Sequence, residues 1–149
     1  DAVWATPIPP DGAEHVVHHD LAPWNLVVAE DRVVLVDWDT AGPGTRVWDL
    51  AWLALGLVPL RPTTPDDVVA ARLRALADGY GLDEAGRARL AATVAPRAWS
   101  MHDLLAHGAL TGEQPWARLW DEGHGGFWRR DAEWAERRAD LLEAALLGG

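Results

Sequence analysis

The chain has 149 residues, 49 % of them apolar, with 23 acidic against 13 basic side chains and a formal net charge of -10. That length and apolar content read as one domain over residues 1–149, large enough for its own core, and exclude a disordered chain. The acidic balance excludes nucleic acid and anionic membrane as partners, because both reward clustered cations, and it suits a cationic ligand better. With no Cys there is neither disulfide nor thiolate chemistry. No apolar run reaches membrane length and no leader peptide is visible, so a cytoplasmic location is the expectation.

In chain order, residues 1–14 carry Pro7, Pro9, Pro10 and Gly12 and read as a connector. His15 to His18 reads as a short strand. Leu26-Val27-Val28 and Val33-Val34-Leu35-Val36 read as a hairpin closed around Glu30-Asp31-Arg32. Pro23 keeps the loop between them from becoming helix. Gly42-Pro43-Gly44 is punctuation, and Val47 to Leu57 is then apolar on every side except Asp49, the pattern of a helix buried in a core. A buried carboxylate there must be hydrogen-bonded.

Thr64-Pro65-Asp66-Asp67 reads as a helix start with Thr64 as cap, followed by a face of Val69, Leu73, Leu76 and Tyr80 and a stop at Gly81. A second long helix starts near Asp83, carries Leu90, Val94, Met101 and Leu105, and meets Pro96 as a kink. A short helix over Trp116 to Trp120, a turn at Gly123-His124-Gly125-Gly126, and a final helix from Phe127 to Leu147 complete the chain. The expected class is α+β, mostly helical, with one small hairpin at an edge. Ten Trp against one Tyr and one Phe read mainly as core, with Trp24 and Trp38 set apart because they flank polar loop positions. Asp103, Glu113, Asp121 and Glu122 read as solvated faces, with attraction of a polyamine or aminoglycoside as the competing reading.

Three hard oxygen donors interrupt the apolar runs of the first third: Asp20, Asn25 and Asp37. Asn25 stands at the entry of the hairpin and Asp37 at its exit, so the hairpin brings residues distant in sequence to one end. Phosphoryl transfer needs this set: one carboxylate to accept the proton of an attacking hydroxyl, and a carboxamide with a second carboxylate to hold Mg²⁺ against nucleotide phosphates. The spacing His-x-Asp-x-x-x-x-Asn is met by His18, Asp20 and Asn25, with Asp37 as the following metal ligand and Asp39 as an extra ligand or a support behind the first two.

These residues resemble those of the aminoglycoside phosphotransferase-like family of the protein-kinase-like fold. The matching segments are His18-His19-Asp20, Asn25, Val36-Asp37-Trp38 and Asp49-Leu50-Ala51, so the resemblance covers roughly residues 15–59. It implies the C-terminal, catalytic-loop lobe of that fold, with Mg²⁺ and ATP or another nucleoside triphosphate as cofactors. The implied reaction phosphorylates a hydroxyl of a small molecule such as an aminoglycoside-like or other cationic metabolite. It also implies that His18 packs and hydrogen-bonds the loop, and that Asp49 accepts backbone N–H bonds from it. His19 stands where Gly is usual, and Trp24 where a small residue is common. All 13 basic residues are Arg, so the strand-borne Lys that holds nucleotide phosphates in this fold is missing, as is its Gly-rich loop. The expectation is that a nucleotide lobe lies outside this chain, supplied in cis or in trans.

Three competing readings stand beside this one. A kinase lobe that lost transfer would leave a non-enzymatic binding or regulatory module. A metal-dependent hydrolase could use the same carboxylates. A zinc site could be built from His15, His18, His19 and Asp20, against which stands the opposite facing of consecutive strand residues.

Overall fold

The structure, a computed structural model, describes residues 12–58 and 60–148. Most of the connector expected over residues 1–14 therefore lies outside the described residues. The chain is mostly helical, with two small antiparallel sheets at one end. β1 (His15–Val17) pairs with β4 (Gly42–Gly44), and β2 (Leu26–Val28) pairs with β3 (Val33–Leu35). The hairpin closes through Ala29 N–H to Arg32 C=O at 2.8 Å.

Two expectations about this region change. Gly42-Pro43-Gly44 is a strand as well as a break, with Pro43 opposite Val16; a two-stranded sheet is all edge, so Pro costs it little there. Pro23 does not oppose helix but begins a single 3-10 turn over Pro23–Asn25. Its ring presets φ for the first helical position, where a missing N–H costs nothing.

The first helix, α1 (Arg46–Leu57), is capped by Thr45, whose hydroxyl accepts Trp48 N–H at 3.2 Å. Val47 to Leu55 are all buried, as its all-round apolar sequence requires. Gly56 follows where α1 passes closest to the loop: a Cβ there would sit 3.1 Å from Pro23 Cδ. α2 (Asp66–Tyr80) starts one residue later than expected, with Pro65 as its N-cap. It ends at Gly81, whose φ of 79° is the left-handed cap that favours glycine. Its buried row is Val69, Leu73 and Ala77, while Tyr80 is exposed.

α3 (Glu84–Thr111) is capped by Asp83 on Gly86 N–H at 2.7 Å and continues as helix through Pro96. It packs against α1, α4 (Trp116–Asp121), α5 (His124–Arg137) and α6 (Ala139–Leu147), and is the axis of the helical part. The expected final helix divides in two at Arg138, which leaves helical geometry at φ -114° and ψ 20°. Arg138 pairs with Asp66 of α2 at that point, and α6 packs along α2. Tertiary packing overrides local propensity here. The glycines read as a turn are mostly helix: Gly123 caps α5, while Gly125 and Gly126 lie inside its first turn.

Leu50, Ala54, Val69, Leu73, Leu90, Val94, Ala98, Ala132, Trp134, Leu142 and Leu146 lie in one buried apolar cluster drawn from α1, α2, α3, α5 and α6. Among the described residues no helix is long and apolar enough to cross a membrane.

Candidate active site

β1 ends at Val17, and the three residues after it form the loop that carries the site. Asp49, in the first turn of α1, accepts the N–H of His18 on Oδ2 at 2.7 Å and that of His19 on Oδ1 at 2.8 Å. Hydrogen bonds to a charged acceptor are worth about 1.5–3 kcal/mol each, enough to offset the burial of this carboxylate.

Arg97 of α3 approaches the same loop from the other side and donates to the His19 carbonyl. Its guanidinium lies between the rings of Trp48 and Trp52, 5.1 Å and 4.1 Å from their centroids. Burial pushes the Arg97 guanidinium down to about 10, against the pull of Asp49 and Asp20, so it stays charged at neutral pH. Sequence reasoning missed Arg97, although a signal was there. The apolar row of α3 runs Leu90, Val94, Met101 and Leu105, and the helical position it skips is 97.

His19 is buried, at 6 % exposure. Its φ of 65° lies in the left-handed region, which explains why glycine suits this position. His tolerates that region better than most side chains. Its Nε2–H donates to the Pro43 carbonyl of β4 at 3.1 Å, and desolvation by burial lowers its pKa, so the ring is neutral.

The His18 ring is fixed by its partners. Asp20 N–H donates to Nδ1 at 3.2 Å, so the proton sits on Nε2, which donates to the Val36 carbonyl at 2.9 Å. Trp38 packs against the ring at 4.8 Å, and the Thr40 hydroxyl donates to the His18 carbonyl at 2.9 Å. His18 thereby ties the loop bearing Asp20 to the residue just before Asp37.

Asp20 is held on both oxygens. Trp52 Nε1–H donates to Oδ1 at 2.7 Å, and Asn25 Nδ2–H donates to Oδ2 and to the Asp20 carbonyl, both at 2.9 Å. Trp24 Nε1 adds a longer contact to Oδ2 at 3.4 Å. Trp52 was also missed. It lies three residues after Asp49, the spacing that puts two side chains on one helix face.

Both partners of the Asn25 amide nitrogen are acceptors only, so its orientation is dictated and its carbonyl oxygen turns away from them. That oxygen and the exposed carboxylate of Asp37 accept no hydrogen bond from any described residue. Val36 N–H donates to the Asn25 backbone carbonyl at 3.0 Å, which places Asp37 just beyond that pairing, with φ 67°. Two hard oxygens without a hydrogen-bond donor among the described residues, at one hairpin end, suit a small divalent cation, its other positions being filled by phosphate oxygens and water. Asp39 sits in the exposed turn closed by Ala41 N–H to Trp38 C=O, and makes no hydrogen bond or ion pair to a described residue. No group of three or more His, Asp or Glu gathers as a metal site among the described residues, and the imidazoles of His18 and His19 are spent on separate carbonyls.

Replacing Asp49 with Ala leaves two buried N–H groups and the Arg97 charge uncompensated. The expected loss is about 3–5 kcal/mol, read as a fall in melting temperature of roughly 10 °C or more. An unchanged melting temperature contradicts the role assigned to this carboxylate. His19 has a pH signature. Because its folded pKa lies below the ordinary imidazole value of 6.5, the unfolded chain takes up a proton first as pH falls. Stability relative to His19→Gln should therefore be constant above that value and decline below it; urea unfolding at pH 7.5 and 5.5 checks the sign.

Comparison of the chain with curated proteins and with solved structures gives no match. Comparison with family profiles does. Residues 1–93 match the phosphotransferase enzyme family, a span that takes in both sheets, α1, α2 and the start of α3 and ends before Arg97. The matched span carries the Asp20 loop, the hairpin with Asn25 and Asp37, and the Asp49 anchor, and on that match the chain belongs to the phosphotransferase enzyme family.

Proposed function

We propose that the chain is the catalytic-loop lobe of an ATP-dependent phosphotransferase whose acceptor is a hydroxyl group of a small molecule. The observation that carries this reading is the bond from Asn25 Nδ2 to Asp20 Oδ2, at 2.9 Å. It orients the base and, by using up the amide nitrogen, leaves the amide oxygen for a cation.

In the proposed reaction an acceptor hydroxyl approaches Asp20, whose Oδ1 keeps a lone pair beyond its bond to Trp52. The hydroxyl oxygen attacks the γ-phosphorus, the bond to the bridging oxygen breaks, ADP leaves, and the hydroxyl proton passes to the carboxylate. Asn25 Oδ1 and Asp37 would hold Mg²⁺, which supplies neutralisation of the phosphate charge. The chain's own contribution is positioning: Trp52 and Asn25 hold the base, and His18 keeps the Asp37 strand in register with it.

A nucleotide-binding lobe would come from outside the described residues. The hairpin supports this. Val27, Val28, Val33, Val34 and Trp38 are 40–78 % exposed, and a bare two-stranded hairpin is marginal in water without a partner surface. The absence of Lys favours a second reading, a ligand-binding or regulatory module that no longer transfers phosphate.

Asp20→Asn separates the two readings. On the enzymatic reading, Mg²⁺-dependent ATP consumption by the full-length protein falls by about 10²–10⁴-fold, with circular dichroism checking that the fold is kept, since one amide oxygen cannot accept from both Trp52 and Asn25. Equal rates in wild type and Asp20→Asn point to the binding module. Trp52→Phe keeps the ring stacking and removes one donor to Asp20, so kcat should fall roughly 10- to 100-fold, the worth of a charged hydrogen bond, with KM little changed.

A further inference from the structure

A cleft of about 460 Å³ opens beside the catalytic loop, between Trp24, the end of α1, Arg61 and the first turns of α5. Its size suits a small organic ligand. It is linked to Asp20 through two side chains: Trp24 of its lining contacts Asp20, and Trp128 in its wall stacks on Trp52, 4.6 Å between centroids, which donates to Asp20.

Two polar groups in this cleft lack a hydrogen-bond partner among the described residues. Asp131 of α5 is only 4 % exposed, yet among the described residues its carboxylate accepts no hydrogen bond. Arg61 Nε is buried without an acceptor, although its guanidinium lies 5.4 Å over the Phe127 ring. Buried polar groups are rarely left so, and two in one cleft call for a ligand that both donates and accepts.

The sign of that ligand follows from the charges, once Glu122, the other acid of the lining, is set aside as already paired with Arg118 at 3.1 Å. Asp131 already feels two guanidinium groups, Arg61 and Arg130, while burial raises its pKa. Its charge is opposed from within the protein; what lacks is a hydrogen-bond donor. An ammonium ion would bring a third cation beside Arg61. Hydroxyl groups bring none, and each serves as donor to Asp131 or acceptor from Arg61 Nε. Trp24, Trp128 and Phe127 supply flat apolar walls for a ring's C–H faces.

We propose that this cleft binds a neutral polyhydroxylated ring, a carbohydrate or cyclitol, through Asp131 and Arg61, with Trp24 and Trp128 as its walls. That the ring is the phosphoryl acceptor rests on the function proposed above; that it binds does not. Phe127, Trp128 and Asp131 lie beyond residues 1–93, so the family match carries no information about them.

Intrinsic tryptophan fluorescence tests this, because Trp24 and Trp128 line the cleft. Full-length protein is titrated with neutral rings (glucose, galactose, ribose, myo-inositol, trehalose) and with cations (choline, spermidine, kanamycin). At least one neutral ring should give saturable change. Asp131→Asn should weaken that binding tenfold or more with melting temperature unchanged or raised, since a buried carboxylate without a donor is removed. Trp24→Ala, at a 64 % exposed position that folding does not need, should weaken it similarly. Saturation by cations alone, by no probe, or by a ring whose affinity ignores both substitutions overturns the inference. Ring binding without phosphoryl transfer leaves the cleft standing and defeats the proposed reaction. Transfer to a cation with no ring bound does the reverse.

Discussion

The site depends on one carboxylate that does no chemistry. Asp49 takes two successive N–H groups of a loop that belongs to no helix or sheet, and so replaces the secondary structure that would otherwise fix it. The loop can then hold His19 in the left-handed region, at a cost of about 1–2 kcal/mol, and turn Asp20 toward the hairpin. Arg97 completes the clamp on the carbonyl side. Burying either charge alone would cost several kcal/mol. Buried on two sides of one loop, each lowers the cost of the other, and Arg97 gains further from the two indole faces that enclose it.

From that clamp a column of rings and guanidinium groups runs through the molecule: Trp48, Arg97, Trp52, Trp128, Phe127 and Arg61, each within 5.4 Å of the next. Its middle member, Trp52, is a core residue by burial and a partner of Asp20 by its one N–H. Packing and chemistry share a side chain there. Rotation of Trp52 would loosen α1 against α5 and turn Asp20 at once, because a close-packed column cannot yield at one point. The column also links Asp20 to the cleft where the Asp131 carboxylate and Arg61 Nε make no hydrogen bond to a described residue. Polar groups left unmatched beside a well-satisfied loop fit a protein that gives up some stability where it binds.

The sheets illustrate how little regular structure is needed. Neither has more than two strands, and both are short. What fixes them is attachment: His19 to Pro43, His18 to Val36, Val36 to Asn25. Two of these bonds tie the loop to β4 and to the residue after β3, and the third joins the open ends of the hairpin, bringing Asn25 and Asp37 to a common place. The helical part supplies the rigid base, with α3 as its axis and α1 as the element that touches both halves.

The sequence by itself determined what local chemistry determines. Asp20, Asn25 and Asp37 stand out because hard oxygens interrupt apolar runs, and the hairpin that gathers two of them follows from β-branched alternation around a polar turn. Asp49 was legible as a buried acid needing donors, since a helix apolar on every other side leaves it no water. Only the tertiary structure decided the rest. The division of the last helix at Arg138, the strand made of Gly42 to Gly44 and the burial of His19 all depend on partners far away in sequence, against which local propensity is a weak force. Arg97, Trp52 and Asp131 are ordinary helix residues until α3, α1 and α5 pack, and their meaning comes from what packing brings within a few ångströms. Hydrogen bonds and ring contacts act over that distance alone, and sequence spacing measures it only within a single element.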